Sequence, residues 1–175
     1  FYAFLSGRYE VKRDEHDGVK LEIYYHPNHD YNLDRMMHSM KASLDYYSTH
    51  FTPFQYQQLR IVEFPRYAEF AQSFPSTIPF SESIGFMLDI DDKTDIDMTF
   101  FITAHEVAHQ WWGMQVEAAH VKGQHFILET LAQYSALMVF KNNFAEEKVD
   151  QFIALQQDLM KRVRRERRRK KSPYT

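Results

Sequence analysis

The sequence predicts an α+β fold, a small sheet from the first part of the chain followed by helices. Three observations carry that reading. Runs of β-branched and aromatic residues with alternating character fall within residues 1–95. Apolar residues at helical spacing dominate residues 96–175. One helix-compatible run, from about residue 96 to 112, contains His105-Glu106-Val107-Ala108-His109, whose chemistry depends on a helix. At 175 residues the chain is long enough to bury a core of its own, and residues 1–175 are expected to form one unit with a strand-rich half and a helical half.

Composition narrows the class. Hydrophobic residues make up 44% of the chain and aromatic residues 16%, which belongs to a folded protein. There is no cysteine, so packing and a metal, not disulfides, must hold the fold. No apolar run approaches the length that spans a bilayer. Because the chain starts at Phe1 and stops at Thr175 without a natural terminus, it is expected to be a piece of a longer polypeptide.

In chain order, residues 1–13 read as edge-strand material with a turn at Ser6-Gly7, and residues 14–18 as a polar turn. Residues 19–25 alternate as a strand. Residues 33–50 carry Met36, Met37, Met40, Leu44 and Tyr47 at helical spacing, a core-filling stripe. Thr52-Pro53 ends that helix. Residues 59–64 read as a second strand, 65–79 as a long loop and 84–89 as a third strand. Asp91, Asp92 and Asp95 crowd the start of the next helix, where negative charge suits the helix dipole.

His105 and His109 are four residues apart, on one face of a helix and one turn from each other. Two imidazoles so placed can share one metal ion, and Glu106 can reach a water on it, the arrangement of zinc proteases. Chance supplies about 0.03 such matches in a chain of this make-up. A catalytic zinc usually takes a third protein ligand. A further histidine six residues after His109 would be one solution, but Gln115 stands there. Glu129, in the helical run after Lys122-Gly123, is the preferred carboxylate. Glu117 would force the chain to double back at once, and His120 and His125 read as exposed loop histidines.

The stretch from His105 through Gln110-Trp111-Trp112-Gly113, followed by a Glu in the next helix, resembles the gluzincin aminopeptidases of the aminopeptidase N and leukotriene A-four hydrolase type. It is nearest the bacterial branch in which such a domain is joined to a membrane permease, and the similarity spans residues 74–140. Nineteen residues separate His109 from Glu129, one more than the usual spacing and equal to that of thermolysin-like enzymes. The resemblance implies a thermolysin-like zincin catalytic domain. Zn2+ would be held by His105, His109 and Glu129, with Glu106 as general base and a peptide as substrate. Glu82 lies near the slot where the family carries the Glu that binds the substrate's free amino group, although Gly, Met and Asn do not surround it. The family's oxyanion-stabilising Tyr is expected beyond Thr175, and Tyr134 reads as core. The implied partner is the remainder of a larger polypeptide with permease segments, and through it a membrane.

The expected activity is therefore zinc-dependent peptide hydrolysis of aminopeptidase type. The alternative is a non-catalytic gluzincin module serving a membrane transporter complex, against which Glu106 argues, because such a module has no need of a base. Residues 161–171 hold nine Lys or Arg and one Glu, while the remainder of the chain is acidic. A basic helix end suits phosphate groups or an anionic membrane face. No aromatic residue interleaves with the run, so no nucleic-acid partner is expected.

Overall fold

The computed structural model describes residues 5–170, with side chains through Arg165. Strands β1 (Glu10–His16) and β2 (Val19–Tyr25) form an antiparallel hairpin. Its two turn residues, Asp17 and Gly18, both have positive φ, the geometry that matches strand twist in a two-residue hairpin. The first strand lies later than expected because Asp14, Glu15 and His16 pair with Leu21, Lys20 and Val19 instead of forming the turn. Of the expected strand over residues 1–13, residues 1–4 lie outside the described residues, and residues 5–9, the expected turn at Ser6-Gly7 among them, form no regular element before β1.

Helix α1 (Leu33–His50) has the bounds its sequence pattern predicts. It connects β2 to β3 (Gln58–Phe64), which runs parallel to β2; parallel neighbours need such a crossover. Strand β4 (Thr77–Ser81) pairs parallel with β3, giving the order β1-β2-β3-β4. Register aligns Leu21 with Leu59, and Ile23, Ile61 and Ile78 in a row. All five are fully buried and share the core with Met36, Met37, Met40 and Leu44 of α1.

The third strand is not where the sequence places it. Residues 84–87 form turns and 88–89 no strand, and β4 begins inside the stretch expected to be loop. Pro79 obscures β4, since proline withholds a ladder donor and fits only where that donor is not needed. Ile78 and Phe80 nonetheless bury completely. The backbone of 84–88 is engaged elsewhere. The Asn32 side chain donates to the carbonyls of Gly85 and Leu88, both at 2.7 Å, and the Met87 N–H returns to the Glu82 carbonyl at 2.9 Å.

Helices α2 (Met98–Ala108), α3 (Gln124–Asn143) and α4 (Glu146–Lys170) complete the described chain. The molecule is thus a mixed α and β fold with a small sheet preceding the helices that carry the histidines. Asp97, not the earlier aspartates, caps α2, accepting from the Phe100 N–H at 2.8 Å. Asp91 and Asp95 close a turn of their own, and Asp92 pairs with Arg35 at 2.5 Å. The helix expected to reach residue 112 stops at Ala108, with His109 still in helical conformation. Among the described residues no helix is long and apolar enough to cross a membrane.

A Cβ at Gly85 would stand 2.5 Å from both Met36 Cε and Phe80 Cε1, inside a filled core. Gly85→Ala is therefore expected to destabilise the fold by about 1–3 kcal/mol, read as a lower urea midpoint with an unchanged slope.

Candidate metal centre

The centre is built where α2 crosses α3. Ala104, Ala108, Ala132 and Ala136 are all fully buried, and side chains this small let the two helices approach closely. Trp112 locks the crossing by donating from Nε1 to Ser135 Oγ at 2.9 Å. Glu129 lies on the same helix as Ser135, less than two turns earlier, and is thereby carried to the histidines of α2.

His105 Nε2 lies 3.2 Å from His109 Nε2 and 3.3 Å from Glu129 Oε2, and His109 Nε2 lies 3.6 Å from Glu129 Oε1. Tetrahedral bonds of about 2.1 Å would separate ligand atoms by about 3.4 Å, so the spacing suits one zinc-sized ion. The donor set, two imidazoles and a carboxylate, has the composition of a catalytic zinc site. His109 Nδ1 donates to the Trp112 carbonyl at 3.0 Å, which leaves Nε2 with its lone pair toward the other two donors. His105 Nδ1 is buried without a hydrogen-bond partner among the described residues. Two third-ligand rivals, Glu117 and His120, are exposed, lie 4.0 Å from each other and do not line the cleft at His105 and His109. His125 belongs to the first turn of α3, not to a loop, and lines that cleft.

Glu106 is buried beside this group. Burial pushes its carboxyl up to about 8, and the negative charge of Glu129 adds to the rise. Burial also lowers His105 to about 4, with His109 adding to the effect and Glu129 opposing it. Low dielectric thus disfavours the charged form of both groups, a cost that a cation between them would relieve for the carboxylate.

A cleft of about 200 Å³ is lined by these four side chains and, facing them, by Ala71, Gln72 and Ser73. That wall is an extended segment lying antiparallel along β4, with the Gln72 N–H donating to the Pro79 carbonyl at 3.1 Å and the Ser81 N–H to the Phe70 carbonyl at 3.0 Å. Gln110 ties the wall to α2. Its side chain accepts from the Ser76 N–H at 2.8 Å and donates to Ser73 Oγ at 2.5 Å and to the Phe74 carbonyl at 2.9 Å. Sequence reasoning missed both the wall and this tether. A fully buried Gln directly after His109, within an apolar run, was the available signal.

Glu82 is not brought into this group. It follows β4, where its carboxylate accepts from the Arg66 N–H at 3.1 Å and lies 3.9 Å from His29 Nδ1. With His29 and the buried Glu63 it forms a separate cluster, and it does not line the cleft. Tyr134, expected in the core, is 60% exposed, because the face of α3 packed on α2 is that of Ala132, Ser135, Ala136 and Val139.

A paired-histidine helix, a buried glutamate beside it and a carboxylate from the next helix define a candidate metallopeptidase centre. A family model described as the Peptidase family M1 domain matches residues 31–175, and the chain belongs to that family. No curated protein matches the chain closely enough to add to this assignment.

The titration of Glu106 has a measurable consequence in the metal-free protein. Its carboxyl is protonated in the fold up to about pH 8 but only up to about 4.5 when unfolded. Stability from this group is thus full at low pH and falls as pH rises through 8. His105, held at about 4 against its usual 6.5, acts with the opposite sign and only below pH 6.5. Between pH 6.5 and 8 the Glu106 effect stands alone. In chelator, unfolding free energy should fall there by up to about 1.4 kcal/mol per pH unit, and Glu106→Gln should flatten the slope.

Proposed function

We propose that the chain carries the metal site of a zinc-dependent peptidase, with zinc held by His105, His109 and Glu129. The observation that carries this reading is the convergence of His105 Nε2, His109 Nε2 and the Glu129 carboxylate within 3.2–3.6 Å of one another. Family membership supports hydrolysis of peptide bonds.

The chemistry zinc supplies when bound is Lewis acidity, which acidifies a water and polarises a carbonyl. Glu106 accepts the water's proton and delivers it to the leaving amine. Its burial keeps bulk water from competing for that proton. His109 is held in the ligating tautomer by the Trp112 carbonyl. The wall at Ala71–Ser73 presents backbone groups of Ala71 and Ser73 beside the cleft, suited to an extended peptide.

Aminopeptidase action is the specific form of this proposal, and family resemblance supports it. Glu82 lies with Arg66, His29 and Glu63, so other groups are the proposed source of a preference for free amino termini. The permease-linked branch, a larger parent polypeptide and membrane association through it remain parts of the same proposal. The buried, aligned Glu106 favours catalysis over a purely structural module.

Zinc analysis after chelator-free purification is expected to give close to one ion per chain. His109→Ala should remove most of it, and Glu129→Ala should weaken binding far more than Glu117→Ala. A protein holding no zinc at neutral pH, or the reverse order of the two glutamate variants, would overturn the ligand set. Glu106→Gln should retain the metal and lose at least about 100-fold in peptide hydrolysis, the usual contribution of a positioned base. Activity within a few fold of the unaltered protein would remove Glu106 from that role.

A further inference from the structure

A second and larger cavity, about 840 Å³, adjoins the metal centre and shares His105 and Glu129 with it. It lies between α3 and α4. Phe126, Leu137, Phe152 and Met160 supply apolar walls, and Phe126 and Met160 are 75% and 58% exposed. A contiguous apolar surface of this kind, next to polar groups that can do chemistry, marks a ligand groove. Helices α3 and α4 are consecutive, joined across Phe144 and Ala145. Counting from that connection, Lys161 stands about as far along α4 as Glu129 stands along α3, roughly 23 Å each at the helical rise. The connection end of the groove is therefore the apolar one, with Leu137 and Phe152. The metal end carries charge.

The charged residues lining the groove are Glu129, Lys161 and Arg164. Among the described residues no carboxylate pairs with Lys161 or Arg164; the nearby ion pair is Arg162 with Asp158 at 2.8 Å. Two cations without carboxylate partners among the described residues, lining an apolar groove that shares His105 and Glu129, complement one ligand chemistry: a bulky apolar side chain with a carboxylate close to it.

We propose that the α3–α4 groove is a substrate subsite, taking a large apolar side chain beside the cleaved bond, with Lys161 and Arg164 anchoring a nearby carboxylate. The proposal rests on the peptidase reading and names its substrate class: short peptides with an apolar residue next to a carboxylate. Continuity with the metal centre selects the occupant, since a chain lying at His105 and Glu129 is already at the groove's mouth. Such a carboxylate comes from either a C-terminus or an acidic side chain.

The test compares matched Leu and Ala peptides as free acids, as C-terminal amides, and as amides with a terminal Asp. The zinc-loaded full-length protein should show a KM about tenfold lower for the Leu free acid than for its amide, what one charge-assisted hydrogen bond supplies. A matching gain for the Asp amide assigns the anchor to any carboxylate; no gain assigns it to the C-terminus. Lys161→Gln with Arg164→Gln should erase the difference between acid and amide. The same peptides titrated calorimetrically onto Glu106→Gln protein should show the same order of affinity without turnover. If that order holds but the full-length protein hydrolyses none of these peptides, the peptidase reading fails and the subsite stands. Equal binding of acid and amide, equal binding of Leu and Ala peptides, or a preference that survives the double substitution would overturn the subsite. Self-association abolished by Met160→Glu would assign the groove to a second copy and overturn it as well.

Discussion

The position of α2 depends on how α1 holds it. Ser39 Oγ donates to the Phe100 carbonyl at 2.7 Å, Tyr47 OH donates to the Ala104 carbonyl at 2.9 Å, and Arg35 pairs with the capping Asp97 at 2.7 Å. Ser39 and Tyr47 are fully buried, so each of their hydrogen bonds, if broken, leaves a polar group stranded at a cost of about 1–3 kcal/mol. Three attachments spread along one helix fix both the height and the rotation of its neighbour. Rotation matters most. Turning α2 by one residue, about 100°, would carry His105 and His109 away from the cleft and drive Glu106 toward a different environment.

From that fixed helix, two further contacts place the remaining parts of the centre. Trp112 reaches Ser135 and brings the third donor, Glu129, with α3. Gln110 reaches Ser73, Phe74 and Ser76 and brings the cleft wall. Both residues lie within four positions of His109. The segment that supplies the donors therefore also sets the distances to its partners, and the centre is held from the end of one helix. Trp111, donating to the Thr52 carbonyl at 2.8 Å, ties the same segment back to the end of α1.

This construction places ionisable groups where they are costly. Glu106 is 6% exposed and lies close enough to Glu129 to feel its charge. His105 buries one ring nitrogen with no hydrogen-bond partner among the described residues. Groups shifted in opposite directions by one low-dielectric pocket mark a functional centre more often than a structural one. A purely structural crossing of α2 and α3 would be better served by apolar residues at these positions. The neighbouring α3–α4 groove adds a different chemistry, apolar walls with cations at the mouth, and the two meet at His105 and Glu129.

Much of this was legible in the sequence because it depends on local periodicity. Helical spacing alone aligns His105 with His109, and the methionine stripe alone assigns the buried face of α1. The strand at 19–25 shows in the sequence because its inward residues alternate, and that at 59–64 because it is a short run rich in β-branched and apolar residues. What the tertiary structure decided depends on contacts between distant residues. Strand β4 was hidden by Pro79, and residues 84–88 took turns because Asn32, more than fifty positions earlier, binds their carbonyls. Glu82 reads as a cleft residue by its distance from His105 in the chain, yet the fold turns it toward Arg66 and His29. Glu129 was already the preferred carboxylate in the sequence, but only the α2–α3 crossing sets it 3.3 Å from His105. Sequence by itself determined that His105 and His109 share one helix face, since a helix repeats every 3.6 residues whatever surrounds it. Only the packing decided which distant side chains join them, because that follows from long-range contacts no local pattern encodes.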